Sequence, residues 1–536
     1  MILLSLLATF GVLAYATFLL NPDNRGDLLP YLMVIIAEAV IVFHIMLAMC
    51  TILAGAKGPR DEAFWAARTA LFDGAEPSVG TPMVIAGHRV AVDVFITTYG
   101  EPVEILRRTV LAARDLRGEH LTWVLDDGHS DEVRAMAAEL GVRYVRRLSS
   151  GGAKAGNINH ALSLSRGEFF CIFDADFVPD PEFLVETVPF FVDQNVAFVQ
   201  TPQVYGNMHS FIARGAGYMQ SVFYRFIQPG RNHFNAAFCV GTNVIFRRAA
   251  INDVGGMYTG SKSEDVWTSL MLHERGWRTI YISDPLAVGD APETIEDYTR
   301  QQTRWATGGF EILLNRNPLS PRVSLTLDQR LMYLVTATHY MTGLAPGILL
   351  FVPALEIYLD LRPMDLSISV ASWLLFYCGL YGMQILLAAY TVGSFRWEVL
   401  TLAAVSFPIY GKALINAFLG RDQKWHVTGS AGRRSSPFNF IQAQVAVLVF
   451  LLVTSAVAVW RDTANWHLTL ATIWNVINTL IILAFVILAL RESSAMRREA
   501  RIARREARKQ KASEPVDPES ITVAARNQTE IVEVTA

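Results

Sequence analysis

Cysteine is scarce in this 536-residue chain. The four present, Cys50, Cys171, Cys239 and Cys378, have neither metal-type nor disulfide-type spacing, and Cys50 and Cys378 fall in apolar runs, so reduced thiols are expected. Charge is sparse as well. Asp, Glu, Lys and Arg make up 18% of the residues and the formal net charge is -3, which leaves no global case for a nucleic-acid partner. No internal repeat is present. What abounds is apolar: 52% of residues, with a mean hydropathy of +0.29. Length alone suggests several soluble domains; this hydropathy points instead to a mixed chain, part membrane and part water-soluble.

Five runs are long enough to cross a bilayer: Ile2–Leu20 and residues 31–53, 367–392, 440–460 and 468–490. Residues 331–358 make a sixth, interrupted by Pro346 and Pro353, which neighbouring helices can accommodate. The first run has no basic leader and is followed by a second span, so it is read as an anchor rather than a cleaved signal. Residues 398–419 carry Lys412 and Pro408 and are read as an interfacial helix. Positive charge sets the topology. Lys57, Arg60 and Arg68 follow the second span, Arg421, Lys424, Arg433 and Arg434 lie in the loop 420–437, and the tail reads "RREARIARREARKQK". Six spans put all three on the cytoplasmic side; a seventh would put the tail outside. The expectation is a multi-pass protein of the inner or plasma membrane. Its parts are two spans in 1–56, a cytoplasmic domain in 90–315, interfacial helices and four spans in 316–490, and a basic tail in 491–536. Beyond Ala512 the polar tail is expected to be disordered.

Within 90–315, "VAVDVFITTYG" and "FFCIFDAD" read as buried strands ending in polar turns, while "PVEILRRTVLAAR" and "SDEVRAMAAEL" have helical spacing. Strand alternating with helix predicts an α/β fold with a doubly wound, mostly parallel sheet. Such sheets bind ligands beyond the carboxyl ends of their strands, and the polar motifs fall there.

Five motifs carry chemistry, each with a bland alternative. Asp174 and Asp176 are two apart, share one face of an extended strand, and suit a hard cation, Mg2+ or Mn2+; the alternative is a solvated acidic turn. Asp126 and Asp127 follow another buried strand and can accept hydrogen bonds from a base or ribose, or the loop can serve to cap the next helix through Ser130 or Asp131. In "GGAKAGNINHAL", which is no Walker motif, Gly152 and Gly156 allow tight backbone and Lys154 offers a point charge to phosphate; an ordinary loop reads the same way. Glu264 and Asp265 open a helix, where the dipole favours carboxylates and where a general base also fits. In "QQTRWATGGF", Arg304 can grip a pyrophosphate and Trp305 can stack on a sugar, or both can anchor the chain at a membrane surface.

The order of these motifs resembles the processive family 2 glycosyltransferases, the membrane-embedded group of cellulose, hyaluronan and chitin synthases. Asp126-Asp127-Gly128, Asp174-x-Asp176, Glu264-Asp265 and Gln301-x-x-Arg304-Trp305 carry the resemblance, the last most specifically. "FIQPGRNHFNAAFCVGTNVIFRR" is most similar to the acceptor-site segment of the bacterial cellulose synthases, and "KWHVTGS", with Trp425, Val427 and Thr428, to their gating loop. The resemblance implies a GT-A-like domain and a UDP-sugar donor. It implies that Asp265 is the base, and that Thr98, Asp126, Asp127, Lys154, Asp174, Gln301, Arg304, Trp305 and Thr428 hold the donor. Phe238, Cys239, Gly241, Glu264 and Trp305 would face the acceptor, and Asp174 and Asp176 would hold the metal. The implied partners are the growing glycan, the bilayer and an extracytoplasmic accessory subunit.

Three departures from the pattern bear on this. Phe238-Cys239-Val240-Gly241-Thr242 replaces the usual Phe-Phe-Cys-Gly-Ser, so the acceptor sugar is open; Ser263 stands where Thr is common; and Arg504 and Arg508, though spaced as in a cyclic di-GMP receptor linker, are read as part of a charged juxtamembrane helix. Two rivals remain: a non-processive transferase acting on a lipid, and a nucleotide-regulated transporter, for which Glu38 and His44 in the second span are the candidate groups.

Overall fold

The computed structural model describes residues 2–55, 58–261, 263–365, 367–421 and 435–513. Its soluble part is organised by a run of β-branched and aromatic residues, β1 (Val92–Thr98), which is buried along its whole length. That is what a strand covered by helices on both faces requires. Around it lie β2 (His120–Asp126), β3 (Arg143–Val145), β4 (Phe169–Asp174), β5 (Val196–Gln200), β6 (Val244–Arg247) and β7 (Arg278–Tyr281), in the order β7-β5-β6-β4-β1-β2-β3. The pleat sorts the side chains into two cores. Phe169, Cys171 and Phe173 of β4 enter one, and Phe170 and Ile172 the other. The helices Val103–Arg114 and Asp131–Glu139 form where helical spacing predicts them, and Ser130 caps the second by accepting the Val133 amide at 3.3 Å.

The sheet is mostly parallel, with one exception. β6 runs antiparallel to both β4 and β5. Its direction is set by the helical excursion between β5 and β6, which brings the chain back to the carboxyl edge of the sheet, so β6 starts at that edge instead of ending there. A second sheet of three very short strands, Val178–Pro179, Ala287–Gly289 and Val204–Tyr205, sits beside this edge.

Six helices among the described residues are long and apolar enough to cross a membrane: Ile2–Leu20, Leu28–Ala54, Leu327–Leu359, Val370–Thr391, Gln442–Ala464 and Leu470–Glu506. The third is broken, and Pro346 and Pro353 each stand in the first turn of a new helical piece, where a missing N–H costs nothing. The segment read as a single interfacial helix is a pair, Trp397–Val405 and Phe407–Phe418, bent by 43°. This pair shares a core with the long helix Ile295–Asn315, through Ile409, Tyr410 and Ala413 against Tyr298, Ala306 and Phe310. Polar contacts fix the register: Tyr298 Oη and Ser406 Oγ are 3.1 Å apart, and Tyr410 Oη donates to Gln302 Oε1 at 3.2 Å. Glu38 is 1% exposed and accepts the Tyr381 hydroxyl at 3.2 Å, while His44 contacts Val40 O and Thr338 Oγ1, so both groups bond within the bundle.

Candidate active site

Strand register builds the site. Thr98 of β1 pairs with Asp126, and Thr97 pairs with Asp174, so three strands end level. The sheet order reverses at β1, which opens a crevice beyond these ends. A cavity of about 230 Å³ occupies it. Thr98, Asp127, Lys154, Asp174 and Asp176 line it from the sheet side; Gly241, Glu264, Asp265, Gln301, Arg304 and Trp305 close it from the other. All five sequence motifs thus reach the cavity, the glycine-rich one through Lys154 and the Asp126-Asp127 pair through Asp127.

Lys154 stands in the first turn of the helix Ala153–Leu164, after Gly152 in the left-handed region at φ 71°. Its Nζ donates to Gly241 O at 2.8 Å and to Asp174 Oδ1, which also accepts from Thr97 Oγ1 at 3.2 Å. Burial works against the ammonium charge, but Asp174, Glu264 and Asp265 together hold its pKa above the usual value. Asp176 lies in the turn beyond β4 rather than on the strand, and still reaches the same cavity. Burial, then repulsion from Asp174 and Glu101, pushes its carboxyl up to about 8. Oxygen donors crowded until one resists ionising are relieved by a hard cation, so this pair fits Mg2+ or Mn2+.

Glu264 and Asp265 open the helix Glu264–Glu274 as expected. Burial and then the Asp265 charge raise Glu264 to about 7, with Lys154 and Arg304 opposing. Burial also raises Asp265, whose Oδ1 accepts the Val266 amide at 2.8 Å. Gly241, at φ 89°, lets the wall approach closely: a Cβ there would stand 3.2 Å from Asp265 Oδ2. The "QQTRW" stretch lies on the helix Ile295–Asn315, so Gln301, Arg304 and Trp305, at i, i+3 and i+4, share one face and point into the cavity. Gln302 and Thr303 turn the other way and are buried, Gln302 against the bent pair.

Other expected site residues sit elsewhere or are already engaged by the protein. Asp126 does not line the cavity, because both carboxylate oxygens are taken up by the loop that follows it and by β3: Gly128 and His129 amides on Oδ1, the Ser130 amide and the hydroxyl of Tyr144 on β3 on Oδ2. Asp127 reaches the cavity but is held by Arg147 through contacts of 2.6 and 2.5 Å. Phe238 and Cys239 lie behind the wall. Phe238 packs under the Arg231 guanidinium, 4.8 Å from ring centroid, and the Cys239 amide donates to Ser269 Oγ at 2.8 Å. Thr428, Trp425 and Val427 fall outside the described residues, as do Lys57, Lys424, Arg433 and Arg434. Sequence reasoning missed Glu101, Gln203, Tyr205 and Asp290, which all line the cavity. Glu101 had a signal in "ITTYGEP": it turns back to accept from Thr98 Oγ1 and the Tyr99 amide, both at 2.7 Å. Tyr205 and Asp290 had none, since the small three-stranded sheet brings them in.

Residues 169–392 match the family model described as glycosyl transferase family group 2. The UDP-forming cellulose synthase catalytic subunit of Xanthomonas axonopodis pv. citri (strain 306) is 38% identical over 262 residues, 47% of this chain and 36% of that protein. That of Pseudomonas fluorescens (strain SBW25) is 34% identical over 273 residues, 49% of this chain and 36% of that protein. The chain therefore spans about a third of the length of these relatives. Among solved structures, a mannosyltransferase from Pyrobaculum calidifontis in complex with GDP-Man and Mn2+ overlays with a TM-score of 0.47 at 16% identity, covering 73% of this chain and 100% of that one.

Proposed function

We propose that this chain, which carries a family 2 glycosyltransferase domain, moves sugar from a UDP-sugar onto the end of a growing β-linked glycan. A cellulose-like β-glucan is the favoured product, because the similar relatives are named cellulose synthases. One observation carries the reading. The cavity holding Asp174, Asp176, Lys154, Glu264 and Asp265 is closed by Gln301, Arg304 and Trp305, and the helix bearing these three packs on the apolar bundle. A chain lengthened at that point emerges directly at the spans, which favours processive synthesis and passage across the membrane. The positive residues bordering the spans favour a cytoplasmic catalytic domain.

In this mechanism the donor diphosphate lies between Lys154 and Arg304, whose charges balance the negative charge that builds as UDP leaves. Asp174 and Asp176 would hold Mg2+ or Mn2+, which when bound neutralises diphosphate charge. Trp305 offers a ring face to the terminal sugar. Asp265 takes the proton from the acceptor hydroxyl as its oxygen bonds to the anomeric carbon and the bond to UDP breaks. A raised carboxyl pKa makes a stronger base nearer neutral pH. A single displacement inverts an α-linked donor to a β-linked product. The test is incubation of the purified, bilayer-reconstituted protein with a panel of UDP-sugars, followed by linkage-specific hydrolases. A polymer cut by one β-specific hydrolase supports the reading. Release of UDP with no polymer contradicts it.

A further inference from the structure

Behind the cavity wall, three side chains and one carbonyl form a hydrogen-bond relay whose direction is fixed. Thr279 Oγ1 on β7 is 2.8 Å from Ala237 O, and a carbonyl only accepts, so the Thr279 hydroxyl donates there. Its oxygen then accepts from His273 Nε2 at 2.9 Å, which places the ring proton on Nε2. Burial, and then the nearby Arg231 charge, pushes His273 down to about 3, so the ring is neutral and Nδ1 is bare. Nδ1 therefore accepts the Tyr333 hydroxyl at 2.7 Å. The chain of donors runs from Tyr333 through His273 and Thr279 to Ala237, and His273 and Tyr333 are 2% and 0% exposed.

The elements joined are those that matter for transfer. Tyr333 lies in the helix Leu327–Thr338, the first piece of an apolar span. His273 lies at the far end of the helix that Glu264 and Asp265 open. Ala237 begins the stretch that continues through Cys239 to Gly241 in the cavity wall. The same stretch is tied to the Asp265 helix again by Ser269, which accepts the Cys239 amide and donates to Asp265 O, each at 2.8 Å. Arg231 clamps it to the membrane-side helix, donating to Ala236 O at 3.0 Å and to Met332 O at 2.8 Å.

We propose that His273 is a positioning residue for glycosyl transfer: held between Tyr333 and Thr279, it seats the Asp265 helix against the cavity wall and locks both to the first piece of the span. The proposal rests on the glycosyltransferase reading above. It makes a statement that bulk packing does not: the loss lies in turnover, is relieved by any side chain offering one donor and one acceptor, and is shared between the two ends of the relay.

The experiment measures initial rates and KM for the UDP-sugar in bilayer-reconstituted protein, for His273→Leu, His273→Gln, Tyr333→Phe and the double variant His273→Leu/Tyr333→Phe. Leaving buried relay partners unsatisfied should lower kcat by roughly tenfold in His273→Leu and in Tyr333→Phe, with KM for the donor unchanged. His273→Gln supplies an amide donor and a carbonyl acceptor and should recover most of the rate. The double variant should be no slower than His273→Leu. If His273→Leu does not fold, Tyr333→Phe, which removes a single oxygen, still decides the matter. Wild-type kcat in Tyr333→Phe, no recovery in His273→Gln, or kcat losses that multiply in the double variant would each overturn the proposal. Wild-type protein that transfers no sugar at all would instead overturn the glycosyltransferase reading.

Discussion

A Cβ placed on Gly308 would stand 1.9 Å from Ser263 Oγ, so the helix carrying Gln301, Arg304 and Trp305 presses directly on the residue preceding Glu264 and Asp265. The face bearing Gln301, Arg304 and Trp305 and the acid pair are held together by that absence of a side chain. Gly308→Ala should force them apart, with a loss of roughly 1–3 kcal/mol in stability and a clear fall in transfer rate. Ser263→Gly in the same chain should restore part of both, because it removes the atoms the new methyl meets. Thermal unfolding and UDP release report the two effects separately; an unaltered rate in Gly308→Ala would show that this contact does not set the site.

Asp265 and Asp176 should separate by what they lose. Asp265→Asn keeps the shape but cannot take up the acceptor proton, and should cut transfer by on the order of 100-fold or more while UDP affinity stays within a few-fold. Asp176→Asn should weaken UDP binding only when Mg2+ or Mn2+ is present. Calorimetry with and without metal distinguishes them, and the reverse pattern would exchange the two assignments.

Glu264 gives a pH-dependent stability. Its folded pKa, about 7, exceeds the 4.5 of an unperturbed glutamate, so the folded state holds a proton that the unfolded state has released between those values. The burial therefore costs stability progressively as pH rises through that window, and the cost is complete above it. Glu264→Gln removes the cost. Its thermal midpoint should exceed wild type at pH 8, with little difference at pH 4; equal midpoints at both pH values would place Glu264 in water.

How much of this was legible in the sequence follows from where each residue's surroundings come from. β1, β2 and β4 were readable because a long apolar run ending in polar residues has few other uses. The helix start at Ser130 was readable because capping is local, and that at Glu264 because the helix dipole favours acidic residues in a first turn. The reversed direction of β6 was not, since it depends on where the chain re-enters the sheet. The same holds for Tyr205 and Asp290, which two- and three-residue strands carry to the cavity. Asp126 and Asp127 looked equivalent in sequence. Only the loop fold shows that one is consumed by backbone amides and the other reaches the cavity. The roles open to Gln301, Arg304 and Trp305 were legible from their residue types and order, whereas the packing of their helix's other face on the apolar bundle was not, because it depends on segments about 100 residues further along the chain.

Trp305 should matter for length more than for binding. It lines the cavity on the helix that packs against the apolar bundle, where in the proposed reaction the end of a product would rest. Trp305→Ala should leave UDP-sugar affinity nearly intact and yield short products or none, because the stacking face is gone. Polymer of normal length from this variant would remove the stacking role.

The most direct test of the account is the size of the glycan made by the reconstituted protein when the UDP-sugar is supplied in only modest excess over enzyme. If the growing end stays in the cavity between additions, a few long chains form beside unextended acceptor, and UDP released equals sugar polymerised. A product one sugar longer than its acceptor, distributed over all of it, or attachment of a single sugar to lipid, would contradict the account.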